Sequence, residues 1–200
     1  MRHSFICMPR CIALTLSGAT LSLVPPAQAA DGKIWFEGKV TLQTCKINGL
    51  SKNADLKVPL PTVSTSASTG VGERADNTPF ELKLTECAAA ATTAYPHFEL
   101  GSSVDQTMGC LVNLGTGPGS ATNVQVALLN GDQSPVDLAA EPSEQNVQIG
   151  TLKPVTTGSR ETSKTTGQAT LKFYAEYVAT DGAATGGTVN TSVLYTMLYE

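Results

Sequence analysis

Histidine, long apolar runs and helical periodicity are all scarce in this 200-residue chain, and each scarcity removes a class of function. Only His97 lies beyond the first thirty residues, and no motif links it to a serine, cysteine or carboxylate. Nucleophile–base catalysis and metal binding therefore lack their usual side chain, and the reading is of a protein that is not an enzyme, with no metal and no cofactor. His97 is expected to be a surface or half-buried strand residue. Past Val24 no apolar stretch approaches the ~20 residues that cross a bilayer. Internal repeats, charge runs and low-complexity tails are also missing. Apolar residues alternate with polar ones instead of recurring at helical spacing, while Gly, Pro, Asn, Asp and Ser break the chain at short intervals. That pattern reads as all-β.

What is present begins with a leader. Arg2 and Arg10 precede an apolar run from Ile12 to Val24, which ends in Pro25-Pro26-Ala27-Gln28-Ala29. A basic start, an apolar middle and a small-x-small site make a secretory signal peptide. The run is too short to span a bilayer, and Cys11 lacks the small apolar residues that precede a lipidated cysteine. Cleavage after Ala29 fits best, with Ala30 as the mature N-terminus; a cut after Ala30 is the alternative. The remaining residues suit one domain. They carry eleven basic against 17 acidic side chains, a net charge of −6, and this mild acidity argues against nucleic acid or an anionic membrane as partner. Cys7 and Cys11 leave with the leader. Cys45, Cys87 and Cys110 enter an oxidising compartment, where one pair and one leftover are expected.

Strands are expected within Lys33–Ile47, Leu56–Val63, Phe80–Leu84, Tyr95–Leu100, Val124–Leu129, Val147–Leu152, Ala169–Val178 and Val189–Tyr199. The Ser/Thr/Ala/Gly-rich stretch from Ser64 to Gly72 reads as a surface loop. Seven or eight short strands with turns between them point to a sandwich with Greek-key connections. Asn190-Thr191-Ser192 matches the glycosylation pattern, but its place in the last strand makes it a chance match.

In order along the chain, several segments resemble the subunits of chaperone/usher-type fimbriae, the type 1 fimbrial (pilin) family. They are Gly32-Lys33-Ile34-Trp35-Phe36-Glu37-Gly38 with Val40 and Cys45; Val58-Pro59-Leu60-Pro61-Thr62-Val63; Pro79-Phe80-Glu81-Leu82-Lys83-Leu84 with Cys87; Asn123 to Asn130; Phe173 to Val178; and a C-terminal segment with Gly187 fourteenth from the end and Tyr199 next to last. The resemblance covers almost all of the mature chain. It implies a Cys45–Cys87 disulfide and an incomplete immunoglobulin-like sandwich that lacks its last strand, completed by a donor strand from a neighbouring subunit. Residues 1–29 are then the signal peptide, 30–38 the donor strand and 39–200 the pilin domain.

The implied partners are other copies or sister subunits, a periplasmic chaperone, an outer-membrane usher and, at the end of the fibre, a host-cell receptor. The implied location is a fimbrium on the cell surface, reached through the periplasm. In the donor strand the even register presents Ala30, Gly32, Ile34, Phe36 and Gly38 to the groove, whereas the odd register would bury Asp31, Lys33 and Glu37. A one-residue slip inverts the faces, so the even register is expected. Trp35 then faces the subunit junction from the back of the strand. In the C-terminal segment Gly187, Val189, Thr191, Val193, Tyr195, Met197 and Tyr199 form the expected acceptor face. Cys110 departs from the two-cysteine pattern; it reads as a buried small hydrophobe, with pairing to another subunit or a reactive thiol as alternatives. Rival readings are a minor tip or adaptor subunit, a spore-coat or biofilm-type sandwich and, more distantly, an exported enzyme.

Overall fold

A computed structural model describes residues 45–67 and 70–200, all within one compact unit that spans residues 41–200. Ten strands occur among them: β1 Lys46–Ile47, β2 Arg74–Cys87, β3 Thr93–Phe98, β4 Leu111–Val112, β5 Val124–Asn130, β6 Pro135–Val136, β7 Gly150–Thr151, β8 Lys153–Thr157, β9 Lys164–Ala179 and β10 Tyr195–Tyr199, with one 3-10 turn at Thr65–Ala67. The larger sheet runs β1-β2-β9-β5-β4, with β6 on β5 and β8 on β9; the smaller runs β10-β3-β7. Every pairing between named strands is antiparallel. The chain is therefore all-β.

Alternation in the long strands builds the core. On β9 Leu171, Phe173, Ala175 and Tyr177 are buried while Gln168, Thr170 and Lys172 are exposed. Their partners on β2 follow the same period, with Leu82 opposite Leu171 and Phe80 opposite Phe173. Phe173 joins the two sheets. It stacks on Phe80 at 5.6 Å and meets Phe98 of the small sheet edge-on at 5.8 Å, arrangements that aromatic quadrupoles favour.

All seven residues of β5 are buried, so both of its faces are covered. Val124, Val126 and Leu128 enter the main core, while Ala127 packs with Cys110 and Val178 in a small second cluster. Cys110 is thus a free, buried thiol. Burial pushes its pKa up, which keeps it protonated. Glu176, also buried, is held by an ion pair with Arg74 at the start of β2.

The structure corrects several expected strands. Leu56–Val63 forms none; Pro59 and Pro61 have no N–H to give a ladder. Only Gly150–Thr151 of Val147–Leu152 is paired, and only Tyr195–Tyr199 of Val189–Tyr199. Conversely, β2 and β9 begin several residues before the apolar runs that announced them, because their polar starts are paired at the sheet surface. The short strands β4 and β6 and the exposed strand β8 were not expected at all. Of Lys33–Ile47 only the end is described, where Lys46–Ile47 is β1. The donor residues Ala30, Gly32, Ile34, Phe36 and Gly38 lie outside the described residues.

Candidate functional site

The small sheet has two edges, and they are treated differently. On β3 the main-chain groups of alternate residues point to opposite sides. Thr93 and Glu99 face β10, where Thr93 and Glu200 exchange hydrogen bonds at 3.0 and 3.2 Å and Glu99 N donates to Leu194 O at 2.8 Å. Ala94, Pro96 and Phe98 therefore face the other way. That side is closed: Ala94 pairs with Gly150 of β7, and Pro96 has no N–H to satisfy. Phe98 is capped by the buried Gln145, whose Oε1 accepts from Phe98 N at 3.1 Å while its Nε2 donates to Phe98 O at 2.7 Å. One amide side chain stands in for a strand.

The far side of β10 has no such closure. By the same alternation Leu194, Thr196, Leu198 and Glu200 bond to β3, so Tyr195, Met197 and Tyr199 turn their N–H and C=O groups outward. Among the described residues no strand pairs with that edge. Burial falls off in step across the core face. Phe98, Pro96 and Ala94 are fully buried, whereas their cross-strand partners Tyr195, Met197 and Tyr199 are only half-buried. A sheet interrupted one strand early has this profile, and β10 is the last strand on this side among the described residues.

The irregular segment 51–64 lies within reach of this edge. The hydroxyl of Tyr195 donates to Ala54 O at 2.8 Å, and that of Tyr177 donates to Pro61 O at 3.2 Å. Burial raises the pKa of both phenols, so they remain donors. Leu60 and Val63 of this segment pack on the same core as Val189, Val193, Tyr195, Met197 and Tyr199. Partly covered apolar residues from two sides thus share one core along an unpaired edge.

Upstream of β10 the chain is pinned by a different device. Thr188 N donates to Gly119 O at 2.8 Å and Ala121 N to Thr188 O at 3.0 Å. A Cβ on Gly187 would sit 2.5 Å from the carbonyl carbon of Ser120 and 2.8 Å from Gly119 O. Glycine is required there because two backbones touch. Asn113 clamps the same place. Its Nδ2 donates to Ala121 O at 2.9 Å and Thr188 O at 3.0 Å, and its Oδ1 accepts from Gly115 N at 3.0 Å and Asn190 N at 2.9 Å. Asn113→Ala strands several of these groups and should cost about 2–3 kcal/mol, read as a lower midpoint in thermal unfolding of the purified protein; an unchanged midpoint would refute the clamp.

The structure thus brings Val189, Val193, Tyr195, Met197 and Tyr199 onto one core-facing side. Thr191 joins them half-buried, its hydroxyl without a partner among the described residues, while Gly187 serves backbone contact instead. Cys45 and Cys87 are joined, tying the start of β1 to the end of β2. His97, on β3, lies with Nδ1 3.2 Å from Gln145 Oε1 and Nε2 3.6 Å from Glu99. Asn113 and Gln145 escaped the sequence reading, because neither stands in a motif and each acts on a segment distant in the chain; Tyr177 lay in an expected strand, but its bond to Pro61 did not show there.

The model of the family described as "FimA: Type-1 fimbrial protein, A" matches residues 60–200. The major fimbrial subunit SMF-1 of Stenotrophomonas maltophilia (strain K279a) is 41% identical over 180 residues, covering 87% of this chain and 95% of the relative. The F17 fimbrial protein of Escherichia coli is 36% identical over 194 residues, covering 94% of each. Among solved structures, the P pilus rod subunit PapA superposes with a TM-score of 0.51 at 17% identity, over 78% of this chain and 99% of that one, and shares its fold. The chain belongs to the type-1 fimbrial protein family, and is a structural subunit of a bacterial fimbria, not an enzyme.

Proposed function

We propose that the subunit polymerises by lending residues 30–38 to the open edge of β10 in the next copy. The observation that carries this reading is the profile across the small sheet, where fully buried residues on β3 face half-buried partners on an unpaired β10. An added strand accepts and donates the outward main-chain bonds of Tyr195, Met197 and Tyr199, and main-chain pairing of this kind is how strand addition gains affinity. Ile34 and Phe36 then enter the core at about 1.5–3 kcal/mol each. Donor and acceptor are different surfaces of one chain, so the contact is heterologous and propagates as a filament. Copies add to copies, the behaviour of a shaft.

Before assembly the same edge needs temporary cover, because an open edge beside apolar groups invites aggregation. A periplasmic chaperone supplies that cover, and an outer-membrane usher receives the subunit after residues 1–29 are removed. Residues 39–200 form the domain, and the finished fibre supports adhesion through a host receptor. Gly32 occupies a constricted position of the groove in this arrangement. Gly32→Leu should slow fibre growth roughly tenfold through overpacking while chaperone binding is kept; an unchanged growth rate in a purified assembly assay would reject the placement.

A further inference from the structure

Leu194 is 77% exposed, more than any other large apolar side chain among the described residues. Its carbonyl accepts from Glu99 N, and its neighbours Val193 and Tyr195 face the core. By alternation its side chain stands on the reverse, outer face of the small sheet. Toward β3 it meets no apolar cover, since its partner there is Glu99, which accepts from Thr196 Oγ1 at 2.7 Å and lies beside His97. The other apolar residue of this face, Leu198, is half-buried opposite Tyr95. Leu194 alone is bare, and it stands next to the open edge.

We propose that Trp35 of a neighbouring copy covers Leu194. This rests on the strand-donation reading and names a side chain that makes the donated strand selective. With Ile34 and Phe36 in the core, Trp35 must lie on the outer face whether the donated strand runs parallel or antiparallel to β10, because side-chain alternation does not depend on direction. The outer face of the donor carries Asp31, Lys33, Trp35 and Glu37, and only Trp35 is apolar. Side chains directly opposite on adjacent strands lie ~4.5–5.5 Å apart at Cβ, and aromatic rings also reach the diagonal neighbours. An indole beside Leu194 therefore buries both. Charge does not select this match, since Asp31 and Glu37 flank Lys33 on the donor and the receiving face carries Glu99 and Glu200, so the apolar pair carries it. The occupant is thus a second copy of this chain, recognised through the solvent side of its donor strand and not only through the groove.

Trp35 is the only tryptophan, so the fluorescence of purified fibres reports on this contact alone. Wild-type fibres should show blue-shifted emission and resist acrylamide quenching. Leu194→Ser fibres should shift to the red, lose that protection and dissociate about two- to fivefold faster in denaturant. Leu114→Ser, at another exposed leucine outside β10, should leave the emission unchanged. If Leu194→Ser fibres keep wild-type emission and quenching, or if Leu114→Ser alters them equally, the contact is refuted while assembly by strand donation stands. Fibres that form without residues 30–37 would remove both.

Discussion

A chain from which residues 30–37 are deleted should fold, bind its chaperone and make no fibres. The reason lies in the separation of the two ends: the described domain keeps its strands, its core and the open edge of β10 without that segment. On the strand-donation proposal, what is lost is the occupant of the neighbour's edge. Each junction forfeits the burial of Ile34 and Phe36, roughly 3–6 kcal/mol together, and the main-chain bonds offered by Tyr195, Met197 and Tyr199. The loss repeats at every junction. Electron microscopy of cells that express only the shortened chain, with co-purification of the chaperone as the folding control, decides the matter. Normal fibres would sink strand donation.

Removing the disulfide, as Cys45→Ser with Cys87→Ser, should lower stability by about 4 kcal/mol on the chain-entropy view. The bond closes a sequence separation of 42 residues, and that loop contains the irregular residues 51–64. Among the described residues between β1 and β2 there is one 3-10 turn and no strand. Residues 51–64 rest on the hydroxyls of Tyr195 and Tyr177 and on the packing of Leu60 and Val63. Without the covalent tie this side of the open edge is free to leave, and Ile34 and Phe36 lose part of the surface they would cover. If strand donation and chaperone cover hold as proposed, the effect should be larger in the chaperone-bound subunit than in the finished fibre, where a donated strand would hold both sides. Urea unfolding of the two forms, with and without the cysteines, measures it; equal and small shifts in both would contradict the role given to residues 51–64. Cys110 offers no rescue, because with Cys45 and Cys87 replaced no second thiol remains among the described residues for it to pair with.

Much of the fold was readable where a long strand has one face in the core. The alternation in the middle of β9 and of β2 is a direct consequence of side chains pointing to opposite faces of a strand, and burial follows it from Gln168 to Ala175 and from Glu81 to Thr85, whereas the end of β9 is covered on both faces. The reading failed where pairing, not burial, makes the strand. β8 is exposed along most of its length and carries Pro154, yet it pairs with the start of β9 from Lys153 to Thr157. Leu56–Val63 has the apolar spacing of a strand and no partner among the described residues. Hydropathy cannot distinguish the two, since one has a neighbour that supplies hydrogen bonds and the other does not.

The candidate site divides in the same way. The sequence by itself determined the inward face of the last segment, Val189, Val193, Tyr195, Met197 and Tyr199, and it is the basis for proposing Ile34 and Phe36 on one side of a donor strand with Trp35 on the other. Period-two geometry is local, and a charged alternative register excludes itself. Only the tertiary structure decided which edge is open. Gln145, distant in the chain, seals Phe98 on one side of β3, while on the other side no strand among the described residues pairs with the outer edge of β10. It also decided why Gly187 must be glycine and that Asn113 holds the run beside it. These depend on which distant segments come to lie side by side, and hydrogen-bond closure between them is a property of the assembled sheets that no single stretch of sequence carries.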